Sequence, residues 1–247
     1  MKKLPILIWI LALVTCLIVF GASTALAVDT SKDNCHTEVF RSCRITTLNT
    51  NQYTGNRPLI IFFPGSNECD NAQKTIGFIR KYELYDGIEA DLIAVSIKTE
   101  CGGNHHDWEG VSQNVLEFIK DKYYSLCDDE KFPIIVDAVS FGGYGGCYLT
   151  QLFMENGLFV DELNLADACG AYCIKASWVQ ELAEAGTKVN VFACTGSGKI
   201  SQETRAIIAA LDGSRNFYGA TFYTSHGKVL QYAIYNDGLH SEYKDEL

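Results

Sequence analysis

The sequence predicts a single α/β domain: a mostly parallel central sheet with helices on both faces. Three observations lead there. Six apolar runs of strand length recur along the chain. These runs are apolar continuously rather than at alternate positions, as strands buried on both faces must be. Between them lie stretches whose apolar residues repeat at three-to-four-residue spacing, the signature of helices with one core-facing side. The chain has 247 residues, 47% of them apolar, which suffices for one sizeable core.

Taken in order, residues 1–27 open Met-Lys-Lys and continue through an apolar run to Ala25-Leu26-Ala27, a small-x-small site before Val28. This reads as an export signal, and its length leaves an uncleaved amino-terminal anchor as the alternative. Residues 28–57 are polar and cysteine-bearing, a lead-in with one or two outer strands. The α/β unit is expected over 58–243. Its strands are Leu59–Phe63, Leu92–Ile97, Ile134–Val139, Leu163–Ala168, Val189–Cys194 and Val229–Tyr235. Val111, Val115, Phe118 and Ile119 place one helix near 109–125, and similar patterns occupy Gly145–Met154, Ala176–Ala185 and Ser201–Leu211. The last four residues, Lys244–Leu247, spell KDEL. In a eukaryotic cell that is a retrieval signal to the endoplasmic reticulum lumen; in a bacterium it is an acidic tail. Either way the expected location is outside the cytosol, in the secretory pathway or beyond the cell.

Charge excludes one class of partner. Asp and Glu number 30 against 20 Lys and Arg, for a net charge of −10, and losing the leader with Lys2 and Lys3 makes the remainder more acidic still. Nucleic acid needs a basic surface, so it is not expected here; a membrane is expected as a partner only if the leader stays attached. Of the ten cysteines, Cys16 belongs to the leader, and the odd remainder leaves at least one thiol unpaired in an oxidising compartment. Short spacings favour Cys35 with Cys43 and Cys169 with Cys173.

The chemistry concentrates in VDAVSFGGYGG, residues 136–146. A serine hydroxyl needs a base to take its proton, and it must project above the sheet to meet that base and a substrate. A strand that stops at Ser140 and turns at once into a helix does this, if the neighbouring side chains are small. Ala138, Gly142, Gly143, Gly145 and Gly146 satisfy that condition. A dinucleotide loop does not fit, because Tyr148 falls where the third glycine of GxGxxG would stand.

This strand-serine-helix turn resembles the nucleophile turn of the α/β-hydrolase fold, and more closely of its esterase-like members; the likeness spans roughly Pro58 to Tyr243. Phe62-Phe63-Pro64-Gly65-Ser66 is similar to the family's oxyanion strand and loop, with Pro-Gly where His-Gly often stands. The resemblance implies oxyanion donors at the backbone N–H of Phe141 and of Ser66 or Asn67. It implies a base after the last strand, which points to His240 in NDGLH, with His226 second. His105 and His106 adjoin Trp108 in a polar loop; they lack the spacing of a metal site, and Trp108 is expected to be an apolar substrate contact. The family's acid usually follows the seventh strand, but the matching loop TGSGKIS has no carboxylate before Glu203. Some relatives carry it after the sixth strand, where Asp167 stands. A carboxylate in so apolar a run needs a partner, and a histidine N–H would supply one; Asp167 is therefore preferred over Glu203. Asp137 is expected to point away from Ser140. The family's strand order also brings Cys69 and Cys101 together as a disulfide. No metal or organic cofactor is implied. What results is an expectation of an exported serine hydrolase cleaving a carboxylic ester, of a small molecule or carbohydrate, with Ser140, His240 and Asp167 as its triad. The alternative is a non-catalytic module of the same fold, with a degenerate acid position, that binds a ligand or partner.

Overall fold

The computed structural model describes residues 35–40, 43–48, 57–65, 72–97, 108–122, 133–168, 174–196, 198–232 and 234. Eight strands form one sheet: β1 (Cys35–Phe40), β2 (Cys43–Leu48), β3 (Leu59–Phe63), β4 (Asp91–Ile97), β5 (Ile134–Val139), β6 (Glu162–Ala166), β7 (Lys188–Cys194) and β8 (Phe217–Phe222). Their order in space is β1-β2-β4-β3-β5-β6-β7-β8. β2 runs antiparallel to both β1 and β4, and every other pairing is parallel. Parallel neighbours need crossovers, which five helices supply: α1 (Ala72–Lys81), α2 (Trp108–Lys122), α3 (Gly142–Glu155), α4 (Ala176–Glu184) and α5 (Lys199–Leu211); among the described residues a sixth, α6 (His226–Tyr232), follows β8.

Side chains alternate between the faces of a strand, so this sheet has two cores. Leu59, Ile61, Val136, Ala138, Leu163, Leu165, Val189 and Val191 meet α2, α3, α4 and α5 on one face. Ile60, Phe62, Ile135, Val139, Ala166 and Phe192 meet α1 and α6 on the other. This double burial is why the runs from β3 to β7 read as continuously apolar.

The second face also holds a buried polar ladder. Asp137, Asn164 and Asn190 stand opposite one another in register on β5, β6 and β7, all fully buried. Asn164 Nδ2 donates to Asp137 Oδ1 at 2.8 Å and to Glu162 Oε1 at 2.9 Å, Asn190 Nδ2 donates to Asn164 Oδ1 at 2.8 Å, and Tyr85 donates its hydroxyl to Asp137 Oδ2 at 2.7 Å. Lys188 Nζ closes the ladder 3.1 Å from Glu162 Oε2. A one-residue slip of any of these strands would turn its polar group into the opposite apolar layer, so the ladder fixes the register.

The carboxyl end of the chain corrects one expectation. Val229–Tyr235 is not the last strand: residues 226–232 form α6, and Val229 N–H bonds Ser225 O, four residues back, at 2.9 Å. Val229 and Leu230 are buried on one side of it while Lys228 is exposed. The last strand is instead β8, FYGATF, an edge element only partly covered on either face. Its weak, glycine-interrupted pattern hid it, and the apolar Val229, Leu230 and Ile234 that follow imitated a strand. α1 was also missed, since Gly77 interrupts a segment with only Ile76, Phe78 and Ile79 as buried apolar residues. Among the described residues no helix is long and apolar enough to cross a membrane.

Candidate active site

At the carboxyl ends of the central strands the chain makes two departures from ordinary backbone. β5 ends at Val139, and Ser140 takes φ 53°, the left-handed region that a residue with a side chain rarely adopts. Its N–H donates to Ala166 O at 3.1 Å, and its own carbonyl accepts the N–H of Gly143 at 3.0 Å. Phe141, at φ −61° and ψ −24°, already has helical geometry, and α3 starts at the next residue. The reversal from strand to helix therefore occupies Ser140 and Phe141 alone, which leaves the Ser140 side chain half-exposed above the sheet. A left-handed non-glycine residue costs about 1–3 kcal/mol, and such strain persists only where surrounding packing dictates it.

That packing is close approach. A Cβ on Gly142 would lie 2.4 Å from Pro64 O and 2.5 Å from Phe63 O, and one on Gly146 would lie 2.9 Å from the Ala138 Cβ. Glycine at both positions lets α3 press on β3 and β5. The second contact also explains why alanine serves at position 138, where a larger side chain would meet the helix.

The second departure is Asp167, one strand away. Val139 on β5 pairs with Ala166 on β6, so Ser140 and Asp167 leave adjacent strand ends side by side. Asp167 also has left-handed backbone, φ 49°, and is fully buried. Its N–H donates to Phe192 O at 2.6 Å. Its carboxylate accepts from the end of β7 and the start of α5: the Cys194 N–H donates to Oδ1 at 3.1 Å, and the Ser201 hydroxyl donates to Oδ2 at 2.7 Å. Arg205, one turn further along α5, donates to the carbonyls of Cys194 and Gly196 and so ties the end of β7 to the helix that carries Ser201. Cys194 is a free thiol. Burial first, then the charge of Asp167 and a hydrogen bond to it, push that thiol up to about 12. It is therefore neutral at physiological pH and is no nucleophile.

The other residues singled out in the sequence fall as follows. Glu203 turns outward on α5 and pairs with Lys199 at 3.7 Å; among the described residues Asp167 is the buried carboxylate at this end of the sheet. Asp137 is tied to Tyr85 and Asn164 in the ladder. Trp108, expected as a substrate contact in a loop, begins α2 and is only 4% exposed. It packs edge-on against Phe63 at 5.8 Å and beneath Gly145, as part of the core. His240, Ser66, Asn67, Cys69, Cys101, His105 and His106 lie outside the described residues. His226 is the first residue of α6, just after β8. Among the described residues no group of three or more His, Cys, Asp or Glu is placed to hold a metal ion.

No protein-family model matches the chain, and no curated protein matches it. Solved structures do. An α/β-hydrolase enzyme from the metagenome of Lake Arreo, Spain, is 13% identical, with 80% of this chain and 75% of that one covered and a TM-score of 0.54. An esterase of Pyrobaculum calidifontis is 11% identical over 80% of this chain and 78% of its own, at a TM-score of 0.56. Carboxyl esterase 2 of the mycorrhizal fungus Tuber melanosporum is 10% identical over 90% and 91%, also at 0.56. The chain has the α/β-hydrolase fold. In an α/β-hydrolase sheet the reactive groups stand on turns at the carboxyl ends of the strands, where Ser140 and Asp167 lie. The fold assignment rests on geometry, because identity this low carries shape and not chemistry.

Proposed function

We propose that the chain is an exported serine hydrolase that cleaves carboxylic esters of small molecules or carbohydrates. The observation that carries this reading is the left-handed turn at Ser140, held by close packing and set beside the buried carboxylate of Asp167. Strain of this kind is maintained where it aims a side chain. The esterases of similar shape lend the ester as substrate class; export is supported only by the sequence of residues 1–27.

In this reading the Ser140 Oγ attacks the ester carbonyl while His240 takes its proton. The tetrahedral oxyanion is received by the backbone N–H groups of Phe141 and of Ser66 or Asn67. Collapse expels the alcohol, protonated by the imidazolium, and leaves an acyl-serine. Water, deprotonated by His240, then releases the carboxylic acid and restores Ser140. Asp167 accepts the other imidazole N–H, fixes the tautomer and stabilises the imidazolium. No cofactor enters these steps.

A fluorophosphonate probe tests this directly. Wild type should label with time, Ser140→Ala should not label at all, and His240→Ala should label far more slowly. A well-folded wild type that stays unlabelled would refute the hydrolase and favour a binding module on the same fold.

A further inference from the structure

In the family that the sequence resembles, the turn after the seventh strand usually carries the acid. Here that segment, TGSGKIS, has no carboxylate, yet its last residue, Ser201, donates to Asp167. We infer that Ser201, together with the backbone N–H of Cys194, is the positioning element for the Asp167 carboxylate, so that the end of β7 and the first turn of α5 hold the acid instead of the loop between them supplying it. The inference rests on the reading of Asp167 as the acid of a serine hydrolase.

The geometry separates Ser201 from a hydroxyl that only serves its own helix. Three residues on, Thr204 turns its hydroxyl back to Ile200 O at 2.8 Å, as side chains within helices commonly do. Ser201 leaves the helix and reaches Asp167, 34 positions away in sequence, at 2.7 Å. Both ends of this bond are buried, Ser201 at 6% and Asp167 at 0% exposed. The two donors fall on different oxygens, one on Oδ1 and one on Oδ2. Together they fix the rotation of the carboxylate plane. Each oxygen of an ionised carboxylate accepts more than one hydrogen bond, so an imidazole N–H still finds an acceptor, and finds it in a fixed direction. Without donors, a carboxylate at this depth would favour its protonated form, which is useless for orienting an imidazole. Arg205 completes the device from behind by anchoring Cys194 O and Gly196 O.

The charged and titratable groups on the elements around Asp167 have other partners or stand outward. On β7 Cys194 is neutral. On α5 Arg205 is spent on carbonyls and Lys199 on Glu203. On β5 Asp137 sits in the ladder, on β6 Glu162 meets Lys188, and on α6 Lys228 bonds Gln231. A pH effect of changing Ser201 therefore reports the Asp167 system.

Two readouts test the inference on the full chain. The first follows fluorophosphonate labelling against pH in wild type, Ser201→Ala, Ser201→Cys and Ser201→Thr. Losing a hydrogen bond to a charged group should slow labelling roughly ten-fold in Ser201→Ala. It should also move the acidic midpoint upward, because a less satisfied carboxylate binds its proton and its imidazolium partner more tightly. Ser201→Thr keeps a hydroxyl and should recover most of the rate. Ser201→Cys, close in shape but a weak donor, should fall between, and it serves in place of Ser201→Ala if the alanine variant does not fold. The second readout is the carbon-13 titration of the Asp167 carboxyl, which should also move upward in the alanine or cysteine variant. Labelling of wild type with unshifted midpoints in a folded Ser201 variant would overturn the positioning role. Absence of labelling in folded wild type would instead remove the hydrolase reading beneath it.

Discussion

Two buried aspartates one strand apart do different work. Asp137 lies mid-strand on β5, with ordinary extended backbone, in a ladder that runs across three strands. Asp167 lies just past the end of β6, in left-handed backbone, with donors brought by the end of the next strand and by the helix after it. Both are fully buried and both accept hydrogen bonds at ordinary distances. Burial of a carboxylate therefore does not mark a reactive site. What distinguishes Asp167 is its place at the carboxyl end of the sheet, its strained backbone and its neighbour Ser140, also strained. Asp137 ties strands together; Asp167 is held just past them, between the end of β7 and the start of α5.

The largest expected effect breaks the pair apart. Asp167→Asn should lower the rate of fluorophosphonate labelling by about 10²- to 10⁴-fold with a modest change in melting temperature. Asp137→Asn should do the reverse. It replaces one acceptor oxygen by an amino group, which then faces the donor of either Tyr85 or Asn164, costing about 1–3 kcal/mol in a denaturant titration, while each folded molecule labels at close to the wild-type rate. Equal losses of rate in the two variants would erase the distinction.

A smaller effect separates a closely packed glycine from an open one. Gly142→Ala drives a methyl into Pro64 O and should cost about 1–3 kcal/mol, slowing labelling as the Ser140 turn shifts. Gly77→Ala on α1, where a Cβ would meet nothing within 4 Å, should stabilise by about 0.5–1 kcal/mol and leave labelling unchanged. Thermal melts with parallel labelling check both.

The smallest concerns a third buried aspartate, Asp91, at the start of β4 and so at the opposite end of the sheet. Burial raises its pKa from 3.8 to about 6, although Arg57, with Nη2 at 3.1 Å, opposes the shift. A proton bound more tightly in the folded state stabilises below pH 3.8, and that contribution is lost as pH rises through about 6. Melting temperatures of wild type minus those of Asp91→Asn should accordingly decline across that window and flatten above it.

Legibility in the sequence followed the same division. β3 to β7 announced themselves because burial on both faces makes a strand apolar without interruption, and the Ser140 turn was legible because close approach demands small residues at fixed offsets. Asp167 stood out as a carboxylate in an apolar run. β8 and α6 were exchanged because an edge strand carries little pattern, while Val229, Leu230 and Ile234 carry the composition of one. Ser201 left no signal at all. Its partner lies 34 residues away, and nothing local distinguishes it from any other serine in the first turn of a helix.

The close seating of α3 has a consequence for charge. The fourteen residues of that helix align their peptide dipoles along one axis, which places about half a positive elementary charge at its amino terminus. Because Gly142 and Gly146 let the helix lie so near β3 and β5, that end is fixed two residues past the Ser140 hydroxyl. Negative charge forming on an atom bonded to this oxygen would meet a field already oriented toward it, with no side chain needing to move and no solvent needing to reorganise.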